Sequence, residues 1–531
     1  MARAAGRFLG VAGLLGLGAC GGSGGFSTPT APAGPSPQSV TVSVDTAADR
    51  HPISPDVYGV TLWYEYNWVA DTTARDTAFA RDVRLPVNRH GGNATSRYNW
   101  LADSSNAAAD WYFMGGSTRA GAPGRMVDSI VEKNRASGAK TVVTVPTGPW
   151  INASSAVTCS FPVSIYGPQQ QVNPYDRPNG DQCGNGLRAD GSRIPNTDPE
   201  RNHVPNSTDF QRRWVQHLVS TFGRADRGGV AVYELDNEPG LWMETHRDVH
   251  PQPLGYHEQI DYTIAYARAI KSGDPTAAVL GPTDIQWDDC WKCVTDGARE
   301  NGGAPLGLWY LQQMAAAEKA EGRRLLDYFS EHYPGQNAAN PVARAVDNIR
   351  RWKEWIASAY PGTKLAIDEY SWTSDVKGFR EGVLVAEGLG AFGREGVDLA
   401  SYWPTPDWNA DATTPAALAF RLYRDYDGAG GAFGETSVRA RSSNESVLAA
   451  FAAQRSSDGA LTLVAVNRSA GEANATVSVA GAPGSGRGLA YRLSEASPGG
   501  IARVEDVALS AGSFSLTLPA TSATLVVLAG R

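Results

Sequence analysis

The sequence predicts an α/β chain, a closed (β/α)8 TIM barrel with an additional all-β sandwich. Three observations predict it. The chain has 531 residues, more than the roughly 250–300 at which a single core stops growing. Through most of its length, short apolar or β-branched runs alternate with longer helical stretches, the rhythm of βα units and parallel strands. After about residue 425 that rhythm gives way to short alternating strands separated by Gly-, Ser- and Asn-rich turns, the pattern of a sandwich.

In chain order, residues 1–19 read as an export signal. Arg3 and Arg7 precede the apolar run FLGVAGLLGLGA (8–19), which is too short to span a membrane as a folded helix. It ends in LGAC (17–20), which looks like a bacterial lipobox. Cleavage before Cys20 and acylation of its thiol are expected, giving an envelope lipoprotein or a secreted protein. Residues 20–37 are Gly/Ser/Pro-rich and read as a flexible tether. Residues 38–55 open with the alternating strand SVTVSVDT (39–46), which has no barrel role and is expected to join the sandwich.

The barrel is expected over 56–424. Its strands are DVYGVTLW (56–63), VRLPV (83–87), KTVVTVP (140–146), VAVYELD (230–236), AAVLGP (277–282), LLDYFSEHY (325–333), KLAIDEY (364–370) and VDLASYW (397–403). Helical stretches lie between them, including 208–222, with Thr or Asp available as its cap, 255–273 and 378–395. An open doubly wound sheet would want a Gly-rich phosphate loop after the first strand, and HGGNAT (90–95) lacks that spacing. The sandwich is expected over 425–531, with strands at 446–454, 460–469, 475–480, 489–494, 512–519 and 522–530.

Composition excludes some functions. The formal net charge is −8 and the basic residues are scattered, so the sequence offers no concentrated positive stripe for nucleic acid. The 15 Trp and 20 Tyr suit a substrate with flat C–H faces, because aromatic rings pack on such faces and offer a polar handle. Some of them lie in polar stretches such as TLWYEYNW (61–68). Beyond Cys20, an even number of cysteines in an exported chain suggests disulfides, most simply Cys159–Cys183 and Cys290–Cys293. No convincing G-x-S-x-G elbow in a strand–turn–helix context and no HExxH motif is present, and His is scarce. HRDVHPQPLGYH (246–257) reads as a loop bordering the cleft.

In a barrel the reacting groups sit at the strand C-termini. Two carboxylates qualify. Glu238 follows the strand 230–236 within DNEP, where Pro239 ends regular pairing, and Glu369 closes the strand 364–370. Such a pair is what glycosidic hydrolysis needs: one group protonates the leaving oxygen, the other attacks the anomeric carbon. Asp236 and Asp368 are rivals. By period two, Asp236 shares a side with Glu234 and Glu238, and these acidic neighbours would raise the Glu238 pKa and favour it as acid. The residues alone leave the roles open. Trp63, Arg89, Asn93, Asn237, His332, Tyr333 and Trp403 stand at other strand ends as candidate substrate contacts, Tyr333 also as a support for the nucleophile.

The stretches that carry these residues resemble glycoside hydrolase family 44. They are YGVTLW (58–63), RHGGNATSRYNW (89–100), ADWYF (109–113), YELDNEPGLWMETHRDVHP (233–251), GPTDIQW (281–287), DYFSEHYP (327–334), KLAIDEYSW (364–372) and RLYRDYDG (421–428). The resemblance implies a barrel with a sandwich partly built from the N-terminal strand. It implies retaining endo-hydrolysis of β-1,4-glucans such as xyloglucan and soluble cellulose, with Glu238 as acid/base and Glu369 as nucleophile. No cofactor is required, although a structural divalent cation (Ca or Zn) near the barrel loops is compatible with it. A polysaccharide is the expected partner, and a monomer the expected state. DEY at 368–370, HYP at 332–334 and CWKC at 290–293 depart from the family pattern, which bears on substrate preference. Related barrels acting on xylan, mannan or mixed-linkage glucan, and a non-catalytic polysaccharide-binding lipoprotein, are the alternatives.

Overall fold

The structure, a computed structural model, describes residues 36–530 except 65–70, 108–111, 175–176, 197, 285–302, 334–339, 373–377, 404–413 and 482–483. The expected signal, Cys20, and the Cys290–Cys293 pair lie outside the described residues. No helix among the described residues is long and apolar enough to cross a membrane.

Eight parallel strands close into a barrel: Gly59–Val60, Val87–His90, Lys140–Val145, Val232–Leu235, Ala278–Asp284, Tyr328–Glu331, Lys364–Tyr370 and Leu399–Tyr402. A helix follows each, in order Thr73–Asp82, Arg125–Ser137, Thr208–Phe222, Tyr256–Gly273, Leu306–Glu321, Pro341–Ala359, Phe379–Glu395 and Pro415–Arg424. In Thr208–Phe222 the buried Trp214, Val215, Leu218 and Phe222 recur every three or four residues, so one stripe faces the barrel. Its cap is Ser207, not the expected Thr or Asp. Extended backbone at Ser207 aims its hydroxyl at the otherwise unpaired amide of Phe210, which donates to it at 3.1 Å.

Two strands differ from expectation. The run VRLPV is a helix exit rather than a strand: Arg84 takes φ 47°, and the Leu85 amide bonds back to Ala80 O. Pairing begins only at Val87, after Pro86. The first strand is shorter than 56–63, because Pro55–Tyr58 forms a 3-10 turn capped by Ser54.

The barrel lumen is layered by the two-residue period of its strands. Val87, Val142, Val232, Leu280, Tyr328, Ala366 and Leu399 form an apolar floor. Two residues further along the same strands stand Arg89, Thr144, Glu234, Pro282, Ser330, Asp368 and Ser401, all buried and, apart from Pro282, polar.

The sandwich is one continuous ten-stranded sheet folded on itself, closing through a second pairing of the N-terminal strand. Gln38–Asp45 runs parallel to Ala473–Ala480 and antiparallel to Thr436–Ser442. Three of its strands, His51–Pro52, Thr436–Ser442 and Ala502–Ser510, fall outside the expected set; the two longer ones are polar in sequence, with only Val438, Ala440, Val507 and Leu509 among the buried core of the sheet. Leu448–Gln454, Leu461–Asn467 and Ser522–Leu528 are buried on both faces. Leu448, Ala450 and Ala452 point into the sheet's own core. Ala449, Phe451 and Ala453 point into the barrel core, where they meet helix Phe379–Glu395. A Cβ at Gly390 of that helix would lie 2.3 Å from Phe451, so glycine permits the approach. The buried pair Arg468–Glu387 spans the same junction. A disulfide joins Cys159 to Cys183 in the loops above the barrel.

Candidate active site

Arg89 stands at the centre of the polar layer with no exposed side-chain surface. Its Nε and Nη2 donate to the two carboxylate oxygens of Glu234 at 2.8 and 2.6 Å. Nη2 also donates to Asn237 Oδ1 (2.8 Å), and Nη1 donates to Glu369 Oε2 (2.6 Å). A planar guanidinium fits this fork, and burial makes each partner necessary. Arg89, expected as a sugar contact, lies instead beneath the site, with its donors spent on protein groups. The sequence does carry a signal for Glu234 as its partner, since period two puts Val232 and Glu234 on the lumen face.

Glu238 reaches the cleft because the chain leaves the strand through left-handed backbone. Asp236 has φ 65° and Glu238 φ 44°, conformations that cost about 1–3 kcal/mol each and persist only where surroundings enforce them. Enforcement is visible. The Asp236 carboxylate accepts from the amides of Thr147 (2.5 Å), Gly148 (3.2 Å) and Asn237 (2.9 Å). The Glu238 amide donates to Thr283 O at 3.0 Å. This corrects the expectation that Glu234, Asp236 and Glu238 share a side: Asp236 anchors a turn, Glu234 binds Arg89, and only Glu238 is partly exposed, with 20% of its side chain accessible.

Alternation also fails usefully at Glu369. Asp368 follows Ala366 into the lumen and is fully buried. Its neighbour Glu369 would face outward in a regular strand, but the register shifts between Ile367 and Tyr370, and such a bulge re-aims a side chain. Glu369 therefore meets Arg89 and keeps 21% of its side chain accessible. One carboxylate oxygen of Glu238, one of Glu369 and a ring nitrogen of His332 lie within 4.8 Å of one another.

His332 is 1% exposed and lies between carboxylates instead of facing the cleft as a sugar contact. Its Nδ1 is 3.1 Å from Glu238 Oε1 and 3.8 Å from Glu369 Oε2, and its Nε2 is 3.5 Å from Asp368 Oδ2. Tyr333 does not support the nucleophile through its hydroxyl, which donates to Pro341 O while the ring packs on Trp372. Its backbone does so: the Tyr333 amide donates to Glu369 O at 2.7 Å. Asn237 is 2% exposed and held by Arg89. Trp63 and Trp403 are half-buried and meet edge to face at 5.8 Å. Gly92 lies against them, where a Cβ would come within 2.7 Å of Trp403. Asn93, half-buried, begins the 3-10 turn that follows.

Burial disfavours charge on every group here, and the neighbours decide the outcome. Burial pushes Glu369 up and adjacent Glu238 adds to the push, while His332 and Arg89 oppose it. Burial would raise Asp368, but His332, Arg89 and Ser330 outweigh it and hold the carboxyl well below the usual range. Burial would lower His332, but Glu369, Asp368 and a hydrogen bond to Glu238 outweigh it, favouring imidazolium.

A cation could be sought among Glu234, His332 and Asp368, or in the 246–257 loop. The first set already encloses the Arg89 guanidinium. In the loop, Asp248 accepts from Arg97 Nη1 (2.6 Å) and Ser160 (2.5 Å). Burial, with Arg97, pushes nearby His203 down to about 4. In both places an arginine supplies the positive charge.

An eight-stranded parallel barrel that gathers two accessible carboxylates at its strand ends, flanked by tryptophans, defines a barrel glycoside hydrolase. The family model for glycoside hydrolase family 44 matches residues 104–337. The chain is 34% identical to the solved CelM2, a bifunctional glucanase-xylanase from a metagenome library, covering 94% of this chain and 100% of that one, with a TM-score of 0.82. It is 25% identical to a family 44 xyloglucanase from Paenibacillus polymyxa, covering 93% of this chain and 100% of that one, at a TM-score of 0.73. Endoglucanase A of Paenibacillus lautus is 28% identical, over 92% of this chain and 72% of that one. The chain belongs to glycoside hydrolase family 44.

Proposed function

We propose that the protein is a retaining endo-β-1,4-glucanase acting on β-glucans such as xyloglucan and soluble cellulose, with Glu369 as nucleophile and Glu238 as acid/base. The observation that carries this reading is the close approach of the two carboxylates, one oxygen of each lying within 4.8 Å of the other. Retaining pairs stand about 5–5.5 Å apart, whereas inverting pairs need about 6.5–9.5 Å to admit a water. Accessibility favours Glu369 over fully buried Asp368 as the attacking group. Its 2.6 Å contact with Arg89 favours the charged form. In these roles Glu238 brings the proton and Glu369 the charge.

Glu238 then protonates the leaving oxygen as Glu369 attacks the anomeric carbon, and afterwards takes a proton from the water that releases the sugar. Arg89 holds Asn237 by its Oδ1, which leaves the amide NH2 for a sugar hydroxyl. Trp63 and Trp403 supply faces for stacking. The reaction uses two carboxylates and no cofactor. The lipobox at 17–20 supports export with a lipid anchor on Cys20; Cys20→Ser should abolish labelling of the protein by radioactive fatty acid. A xylan-cleaving side activity is a second reading, favoured by the likeness to a bifunctional glucanase-xylanase.

The test of the roles is Glu238→Gln. It should lose polysaccharide hydrolysis but retain attack on an aryl cellobioside whose leaving group needs no proton. Proton NMR of wild-type digestion should show the β-anomer first. An initial α-anomer, or a variant equally inactive on both substrates while folded, would remove the assignment. Sugar binding without turnover by the wild type would support a non-catalytic lipoprotein instead.

A further inference from the structure

Among the buried acidic groups that the proposed reaction does not use, Asp368 lies against His332. Asp368 has no accessible side-chain surface and so cannot touch a sugar. Ser330 donates a hydrogen bond to it. Its free oxygen, Oδ2, lies 3.4 Å from Arg89 Nε and 3.5 Å from His332 Nε2, distances at which charge acts more than a directed hydrogen bond. Arg89 has little need of Asp368, because Glu234 already takes Nε and Nη2 at 2.8 and 2.6 Å. His332 has more need of it. The ring's other carboxylate contacts within 4 Å are made at Nδ1, to Glu238 and Glu369. Asp368, His332 and Glu238 thus stand in line, the ring bridging a buried charge to an accessible one.

We propose that Asp368 is a positioning residue that acts through His332 to govern the proton on Glu238. The inference rests on Glu238 being the acid/base. Glu238 must give its proton to the leaving oxygen and then accept one from water, so its charged form has to be reachable at both steps. A carboxylate behind an imidazole fixes the ring's orientation and stabilises its charged form. The charged ring donates Nδ1–H to Glu238 Oε1, which favours the carboxylate and leaves Oε2 for the substrate or water. His332 keeps both of its protons throughout and Asp368 takes none. Only Glu238 exchanges a proton, first with the leaving oxygen and then with the attacking water.

The groups that face His332 are Arg89 from the strand Val87–His90, Glu234 from Val232–Leu235, Glu238 from the turn beyond it, and Asp368 with Glu369 from Lys364–Tyr370. Arg89 Nη2 is 3.4 Å from Nε2. This contact defines the rival arrangement, a neutral ring that accepts from Arg89 and ignores Asp368.

The test uses the full chain labelled with ring-15N histidine, the His332 signal being assigned by its loss in His332→Gln. In the wild type at pH 7 both ring nitrogens should carry protons; a neutral His332 would overturn the proposal, without any need for a variant to fold. In Asp368→Asn the ring should lose its charge at neutral pH. The basic limb of the kcat/KM profile on soluble β-glucan should move upward by roughly one pH unit or more, the size expected when a neighbouring opposite charge is removed. On the activated aryl cellobioside, where release of the sugar is limiting, kcat should fall about tenfold or more, and azide, which attacks without a base, should restore it. His332→Gln, which keeps a donor but no charge, should move the limb in the same direction. An unmoved limb and undiminished aryl kcat in an Asp368→Asn protein that binds cello-oligosaccharide normally would sink the idea. Glu238→Gln is assayed alongside: azide should accelerate it and yield a β-glycosyl azide. Failure of that control breaks the acid/base assignment itself, whereas its success with an unmoved Asp368→Asn profile breaks only the role of Asp368.

Discussion

The chain closes two β-structures on themselves and fills them in opposite ways. The folded sheet encloses aliphatic and aromatic groups, among them Val42, Leu463, Val477, Phe514 and Leu516, and no Asp, Glu, Lys or Arg is buried among its described residues. The barrel has a comparable apolar floor, then a layer built around Arg89, Glu234 and Asp368. An apolar filling needs only volume and contact, whereas a buried ionic layer is stable only when each charge meets its complement. The difference shows where the fold spends stability on arrangement: at the barrel's open end, where the accessible carboxylates rest on the ionic layer.

Substitutions can break this contrast in order of effect. Glu369→Gln should reduce turnover on every substrate by roughly 10⁴-fold or more, as expected when a member of a concerted catalytic set is removed, with a smaller loss of urea stability than Arg89→Met, because the amide oxygen still accepts from Arg89; retention of substantial activity would move the nucleophile elsewhere. Arg89→Met should damage both properties. It leaves Glu234 buried and uncompensated, a loss of about 3–5 kcal/mol, and it frees Glu369 from its guanidinium, so the unfolding midpoint and kcat should fall together. If stability held while activity fell, the ionic layer would be catalytic only. Phe514→Ala in the folded sheet should cost about 3–5 kcal/mol through lost burial and a cavity, yet the folded fraction should turn over substrate at the wild-type kcat. A lowered kcat per folded molecule would show that the sheet shapes the site.

Much of this was legible in the sequence, and for a physical reason. Parallel strands buried on both faces appear as compact apolar runs, so Lys140–Val145 and Lys364–Tyr370 stand out. Glu238 was visible because Pro239 cannot donate to a ladder and so ends pairing just where the strand closes. The short strand Val87–His90 was harder, since VNRH carries three polar side chains whose burial depends on partners distant in sequence. Misreading of Tyr333, His332 and Arg89 has one cause. Position at a strand end predicts proximity to the cleft but not depth, and all three are buried beneath it. Left-handed backbone at Asp236 and the register shift before Tyr370 likewise depend on neighbouring strands, so period two pointed Asp236 the wrong way and does not by itself aim Glu369 at the cleft.

The strand Gln38–Asp45 precedes the barrel yet pairs with strands that follow it, and helix Phe379–Glu395 serves as a wall for both halves. In topological terms the barrel is an insert within a sheet that must be completed by residues from both sides of it. Severing the chain near residue 425 would therefore not release a ready-made catalytic module. It would uncover the face of Phe379–Glu395 that packs on Phe451 and strip Gln38–Asp45 of its neighbours, so any shortened enzyme would need a new apolar partner designed for that helix before it could stay in solution.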